Sequence, residues 1–448
     1  VETVASVVDA AMHDFDFRYD GFGREPKFPH PATIELLLAE HLRTGEGRLR
    51  DAALMSLEAM WDPGGKQPRL ADEGGGFFRY AAHRDWSDPR YEKLLEDNAQ
   101  LLSVYLSAFQ LTGEGQWAAA ARSIVGYIRS TLTDTRRRFF RSSQAAVPGA
   151  EYYTIAPAER PTDEAPEVDE SGYVAGNAVT CSAFVKAGLV LGDDAVLEFA
   201  AVVVDGLLRG ARVPGDDILL GHRIEPGHGS GPILLASQVY AARALVDVYE
   251  ALGGHNRLEA AAALLDEVHA RMMDPVREAY TDTIIEVGAE GYLSQAIHPL
   301  AENSVAAETL LRLATLLDAP AYQTRAHALL RALAGNALDY GIVAAPYALA
   351  VLRSLARNPV MVQIAGNPST PAARALTRAA HALFVPVRAV KYVDPERDRA
   401  AYRALSESMA NGSAARVGFA GSFSQPTSDP DTLVSIIARA ATAMFAGI

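Results

Sequence analysis

One pattern recurs along this chain and limits what it can fold into: an apolar helix, a turn of two to four residues, then an alanine-rich helix. The copies read "AEHLRTGEGRLRDAALMSL" from Ala39, "SAFQLTGEGQWAAAARSIV" from Ser107, "AGLVLGDDAVLEFAAVVV" from Ala187, "YEALGGHNRLEAAAALLDEV" from Tyr249 and "ATLLDAPAYQTRAHALLRAL" from Ala314. They return roughly every 60 to 80 residues, a period that suits a helical hairpin plus one long loop, and so make five hairpins. First helices carry an apolar stripe at helical spacing, as in Tyr91, Leu94, Leu95, Leu101, Leu102 and Tyr105, interrupted by Asn98. Segments 2–14 and 346–357 pass the same test, and pairing the last with the first gives a sixth hairpin.

Six hairpins predict a mainly α fold, a closed (α/α)6 toroid over residues 1–357, with inner helices near 32–42, 90–110, 174–191, 233–252, 302–317 and 346–357. An open solenoid is the competing arrangement, but its terminal helices would need a polar capping face that these two lack. Turns inside hairpins are short, whereas the connections at about 15–31, 62–89, 132–173, 211–232 and 274–301 are long. All of these must lie at one end, above the N-termini of the inner helices. Long loops on a rigid scaffold are where binding and catalysis concentrate, and inward helix N-termini add positive potential.

Beyond the toroid the pattern changes. "VMVQIAG" (360–366), "VRAVKYVD" (387–394) and "AARVGFAG" (414–421) read as strands, with helices near 370–383, 396–409 and 430–446. Residues 358–448 are therefore expected to form a small α/β appendage. Its "IAGNPSTP" turn has neither G-x-G-x-x-G nor Gly-Lys-Ser/Thr, so no nucleotide cofactor is expected.

Composition narrows the partners. A formal charge of −14 disfavours nucleic acid and anionic membrane, both of which need a basic face. No apolar run reads as a bilayer span, and residues 1–20 are too acidic and interrupted for a signal peptide, which points to the cytoplasm. A single cysteine, Cys181, excludes an internal disulfide and reads as an inert core thiol. A small polar molecule or another protein remains.

Four polar clusters are candidates. In "FGREPKFPHP" (22–31), Lys27 and His30 stand at the start of the first inner helix, for anion binding or proton transfer, although a rigid Pro-rich lead-in with His30 as a cap explains them equally. In "GGGFFRYAAHRDWSDPRYEKLLEDNAQLL" (74–102), Asp88 followed by Pro89 predicts a helix start, placing Asp97 and Asn98 two turns in. Arg79, Tyr80, His83, Asp85 and Trp86 then lie on the rim, with Glu92 and Asp97 lining the bore. Aromatics beside carboxylates suit sugar recognition, because a ring face stacks on C–H groups while carboxylates bind hydroxyls or move protons. The bland alternative is a salt-bridge network clamping a long loop. "HPLAENSVAAETLL" (298–311) crowds His298, Glu302, Asn303 and Ser304 at another inner-helix start, where capping explains Asn303 or Ser304 alone. "LLGHRIEPGHGSGP" (219–232) offers His222, Arg223, Glu225 and His228, at a spacing that matches no standard metal site, so no metal is expected.

In this order the motifs resemble the YyaL-type family, relatives of the spermatogenesis-associated thioredoxin-like proteins. "FGREPKFPHP" is similar to its FGGAPKFPHP, "GGGFFRYAAHRDW" and "PRYEKLLEDNAQLL" to its GGGFHRYSVDxxW and PHFEKMLYDNAQLL, and "AENSVAAETLLRLA" to its SGNSVAAxxLLRLA. "VMVQIAGNPSTPAARAL" resembles its VVIVGDPxxPxTRAL appendage. The resemblance implies a toroid like that of N-acylglucosamine 2-epimerases and related glycosidases, which in the family follows a thioredoxin-like domain. It carries over Lys27, Arg79, Tyr80, Asp85, Trp86, Glu92, Lys93, Asp97, Asn98, Asn303 and Ser304. Departures are equally definite: Phe78 and Arg90 stand where the family has His, Glu96 where it has Tyr, and its WNGL appears as "AGNAV", which contributes Asn177. No Cys-x-x-Cys is present, so a redox role lacks its chemistry in this sequence.

Two functions follow from these readings. One is a sugar epimerase, isomerase or glycosidase-type enzyme working by acid/base chemistry in the funnel. Asp97, Glu92, His83, His30 and Glu302 would be catalytic, and Lys27, Arg79, Tyr80, Asp85, Trp86, Asn98, Asn177, His222, Arg223 and Asn303 would bind substrate. The other is a non-catalytic toroid that binds a ligand or a protein partner such as a separate thioredoxin-like chain.

Overall fold

The computed structural model describes residues 2–61, 69–284, 295–356 and 359–444. The expected boundary between toroid and appendage, at 357/358, lies outside the described residues.

Helix α1 (Glu2–Asp14) precedes the hairpins α2 (Pro31–Thr44) with α3 (Gly47–Met60), and α4 (Leu95–Thr112) with α5 (Gly115–Thr131). A one-turn helix, α6 (Glu151–Thr154), sits in the next loop. Then come α7 (Val174–Leu191) with α8 (Asp194–Gly210), α9 (Leu235–Leu252) with α10 (His255–Met272), α11 (Leu300–Leu316) with α12 (Pro320–Ala337), and α13 (Ala345–Leu355). Helices α2, α4, α7, α9, α11 and α13 pack each on the next, and α13 packs back on α2, closing the ring. Helix α1 packs on α13 as the outer half of the sixth hairpin. The fold is the (α/α)6 toroid that the repeat implied.

Local chemistry explains the tight hairpins. Helices α2, α4 and α7 end on Gly45, Gly113 and Gly192 with φ of 76°, 73° and 75°, a left-handed conformation that a Cβ would penalise, and the outer helix begins within three residues. Helix α7 carries one charge, Lys186, and is long and apolar enough to pass for a membrane span, contrary to the sequence reading. Its surface is instead covered by α4, α8 and α9, which is why it can be apolar almost all round.

One helix start differs from expectation. Asp88 has a φ of 50°, Pro89–Arg90 pairs antiparallel with Tyr80–Ala81, and Lys93–Leu94 pairs with Ser143–Gln144, so α4 begins only at Leu95. The ladders satisfy backbone groups that a helix would otherwise have used, and they place Asp97 in the first turn and leave Glu92 off the helix.

The appendage is a four-stranded sheet in the order 388–392, 360–365, 414–419, 422–423, the first two parallel and the rest antiparallel. Helices α14 (Pro371–Ala380), α15 (Arg399–Ser406) and α16 (Pro430–Ala443) flank it. Strand 388–392 packs on α9 and α11, and α14 on α7, so the appendage caps the end of the ring opposite the long loops. Its apolar residues, Val360, Val390 and Leu376 among them, belong to the same continuous core as the inner helices.

Candidate functional site

Several expected site residues are consumed by internal contacts. Lys27 is fully buried, its Nζ donating to the Arg84 carbonyl at 2.7 Å, 3.5 Å from the Asp16 carboxylate and 5.1 Å from the Trp86 ring centroid. Trp86 is buried too, its indole N–H donating to the Tyr19 carbonyl at 3.1 Å. Asp16 also accepts two hydrogen bonds from Arg84, which hold its carboxyl well below the usual range. Lys27 and Trp86 are therefore a strut beneath the loops rather than an anion site on the rim. Asp85 closes a turn by accepting from the Ser87 backbone and hydroxyl at 3.1 and 2.5 Å. His83 is exposed beside Glu25 at 3.6 Å, and its described contacts place it with that outer loop rather than with Asp97.

Asn98, Asn177 and Asn303 share one job, with Gln238 as a fourth member. Each lies at the fourth position of an inner helix, and each is fully buried. Asn98 Oδ1 accepts from the Phe77 N–H at 2.8 Å while its Nδ2 donates to the Phe77 carbonyl at 3.0 Å. Asn177 clamps Phe140 in the same way at 2.7 and 2.9 Å, Gln238 clamps Leu220 at 2.9 and 2.8 Å, and Asn303 clamps Tyr280 at 2.8 and 2.9 Å. A planar amide matches a peptide's donor and acceptor together, so each clamp pins a long loop to the helix that follows it. These residues were expected to bind substrate; the buried loop backbone takes their hydrogen-bonding capacity instead.

What does gather at the mouth is a carboxylate cluster. Asp97 and Glu96 stand in the first turn of α4 and Glu302 in the first turn of α11. Asp97 is pushed up to about 6 by desolvation, opposed by the nearby Arg79 guanidinium. Desolvation raises Glu96 as well, reinforced by the charges of Asp97 and Glu302. Glu96 nonetheless touches solvent, as a side chain within a water-accessible bore does. It leans over Gly176 of α7, where an added Cβ would come within 3.0 Å of its Oε1. Tyr240 of α9 belongs to the same neighbourhood, its phenol pushed up to about 12 by burial and by the charges of Glu302 and Glu96. Arg79 lies 3.9 Å from Glu92 and 5.9 Å from the ring of Tyr80, which stacks on Phe28 at 4.7 Å. His30 packs edge-on against Phe28 and Phe22, and burial lowers its basicity, keeping it neutral at pH 7. It sits at the N-cap of α2 without a side-chain cap bond. His222 and Arg223 stand apart, against Tyr173 at 4.8 and 5.9 Å beside the start of α7.

Below this mouth the inner helices enclose a cavity of about 460 Å³, closed at the far end by residues 381–388 of the appendage. Its wall is charged: Lys186 lies 4.0 Å from Glu35, Arg312 2.6 Å from Asp247 and 3.1 Å from Glu250, and Arg353 3.4 Å from Glu308. None of the sequence-predicted site residues lines this cavity. Sequence reasoning missed both the lining and Glu96. The available signal was the charges inside inner-helix stripes, such as Arg243, Asp247 and Glu250 at i, i+4 and i+7, or Lys186 alone in α7. Among the described residues no group of three or more His, Cys, Asp or Glu is arranged to hold a metal ion.

No family model matches the chain. Spermatogenesis-associated protein 20 of Mus musculus is 37% identical over 138 residues, and that of Homo sapiens 35%; each alignment covers 30% of this chain and 17% of the relative. Among solved structures, cellobiose 2-epimerase from Spirochaeta thermophila superposes with a TM-score of 0.59 at 15% identity, over 79% of this chain and 95% of that one. D-mannose isomerase gives 0.58 at 10%, over 74% and 85%. A Bacteroides thetaiotaomicron α-mannanase of glycoside hydrolase family 76 gives 0.54 at 13%, over 79% and 94%. Over about 30% of its length the chain is thus a homologue of spermatogenesis-associated protein 20, and its fold is that of the 2-epimerase-like (α/α)6 toroids.

Proposed function

We propose that the bore is the active site of a sugar-acting enzyme that works by proton transfer. The observation that carries this reading is the cluster of Glu96, Asp97 and Glu302 at the mouth of the cavity, with Asp97 raised to about 6. A carboxyl with that pKa is mostly ionised at pH 7 yet accepts a proton readily, as a general base or acid requires. In an epimerase or isomerase, Asp97 would take the proton from the carbon next to the sugar carbonyl, while the neutral Tyr240 hydroxyl and Arg79 would stabilise the enolate oxygen. In a glycosidase, Glu96 as the protonated acid and a second carboxylate would flank the glycosidic bond. The toroid neighbours include proteins of both kinds, and sugar chemistry in this bore is supported from that side by analogy of fold.

Incubation with aldoses and ketoses in D2O separates the versions: deuterium gained at the carbonyl-adjacent carbon marks the first, release of aglycone from aryl glycosides the second. Asp97→Asn should lower either by 100-fold or more. Absence of both reactions, with no sugar binding, would remove the enzyme reading.

A second reading, a non-catalytic subunit for a protein partner such as a thioredoxin-like chain, is favoured by one observation. Lys27, Trp86, Asn98 and Asn303, carried over by the family resemblance, are all engaged in holding the scaffold. Their retention is what a binding toroid that has lost its chemistry would also display.

A further inference from the structure

Five cations, Lys186, Arg243, Arg312, Arg353 and Arg388, line the cavity against four carboxylates, and although Asp247 acts on Arg243 and Glu250 on Arg388 at longer range, one positive charge is left over. Glu35, Asp247, Glu250 and Glu308 are all engaged by Lys186, Arg312 and Arg353, while Arg243 and Arg388, which line the same cavity, have no ion-pair partner among the described residues. Arg243 lies over the Tyr240 ring at 5.4 Å, one helical turn below the mouth. Arg388 projects from the appendage into the floor, where desolvation lowers its pKa to about 10; the charges of Glu250 and Asp247 oppose that shift and the like charges of Arg312 and Arg353 add to it.

The histidine beside it fixes a second donor. Arg388 Nη2 donates to His381 Nδ1 at 2.8 Å, so Nδ1 is the acceptor nitrogen and the proton of the neutral ring sits on Nε2. His381 is 92% buried, and its Nε2–H makes no well-formed hydrogen bond, although the Glu250 backbone carbonyl lies near enough to favour the protonated ring; Arg388 Nε–H is buried without an acceptor. Buried donors without acceptors are rare, and the orphaned Arg388 Nε–H, with the poorly satisfied His381 Nε2–H beside it and guanidinium charge around both, asks for an anionic acceptor. Glu35 Oε2, buried and without a donor, supplies the complementary need, for a hydroxyl.

We infer that the floor of the bore is an anion subsite, and that the ligand is an acidic sugar. Its carboxylate or phosphate is held by Arg243, Arg388 and His381 Nε2–H, and its hydroxyl-bearing carbons extend past Glu35 toward the carboxylates at the mouth. This inference rests on the sugar-site reading above and gives it a substrate class. From Tyr240 to Glu250 the wall of α9 runs about 15 Å, so a disaccharide acid spans it more fully than a single ring.

The test is calorimetry on the full chain with glucose, glucuronate, glucose 6-phosphate, cellobiose, cellobiuronate and inorganic phosphate at two salt concentrations. The expected result is that at least one acidic sugar binds tenfold or more tighter than its neutral counterpart, that the difference shrinks with salt, and that Arg243→Gln removes it. Arg388→Lys, which keeps the charge but deletes the orphan Nε–H, should reduce the preference severalfold at unchanged melting temperature. Equal binding of acidic and neutral sugars would overturn the anion subsite while sparing the sugar site. Binding of inorganic phosphate with no gain from any sugar would overturn the acidic-sugar assignment, and binding of nothing would overturn the sugar site as well.

Discussion

Replacing Asn98 by Leu tests whether the amide clamps hold the scaffold or the ligand. Leucine preserves volume but leaves the Phe77 N–H and carbonyl, now bonded at 2.8 and 3.0 Å, buried without partners. The bond from Nδ2 to the Leu94 carbonyl adds little, because that carbonyl already accepts within the helix. Orphaning a buried backbone group costs about 1–3 kcal/mol, so two cost about 3 kcal/mol together once local relaxation is allowed. In a chain of 448 residues a single global unfolding energy is a poor readout. Hydrogen exchange of the Phe77 amide is direct: about 3 kcal/mol of lost local stability should speed it about 100-fold. Asn98→Asp supplies the control. A protonated Asp can still donate to the Phe77 carbonyl, whereas the carboxylate cannot, so this variant's carboxyl should have a raised folded pKa. Its protection should approach wild type below about pH 4 and fall as pH rises through that folded pKa. If Asn98→Leu left exchange within threefold of wild type yet weakened ligand binding, the residue would be a ligand contact and the clamp argument would be wrong.

Four further outcomes are expected. Asp97, with a folded pKa near 6 against about 3.9 unfolded, favours its protonated form in the native state, so its destabilising contribution grows as pH rises from about 4 to 6 and is constant above. The gain in melting temperature of Asp97→Asn over wild type should follow that window, and Arg79→Ala should move its upper edge higher. Gly176→Ala should favour helix α7 by up to about 1 kcal/mol on propensity while displacing Glu96, whose Oε1 the new Cβ would meet at 3.0 Å; a folded protein with impaired turnover or sugar binding is the expected phenotype. Lys27→Met should destabilise by about 3 kcal/mol, by leaving Asp16 with one fewer partner, without changing ligand affinity. Cys181, buried and with its thiol pushed up by desolvation, should resist alkylation in the native state and react only on unfolding, as thiol counting with and without denaturant will show.

The hairpin repeat was legible because it is local: apolar spacing and turn glycines such as Gly45, Gly113 and Gly192 act within a few residues, and six hairpins with unfinished ends close in one economical way. The rim's location followed from loop lengths; Glu302 stood out as a charge at an inner-helix start, and Asp97 as a charge facing the bore, though expected two turns into its helix rather than in the first turn, where it lies. The helix start at Asp88 misled, because the strand pairing that pre-empts it joins Tyr80 to Arg90 and Lys93 to Gln144, contacts that a local signal does not encode. The same limit explains Lys27, Asn98 and Asn303: residue type tells that a polar group needs partners, but only the fold tells whether those partners are a distant peptide or an open bore. Which inner-helix charges face one another, and that His381 and Arg388 arrive from the appendage to close the cavity, depends on the ring's registration and on packing across more than a hundred residues of sequence. The chain's own pattern therefore determined the toroid, whereas tertiary structure decided which polar residues were left free to act.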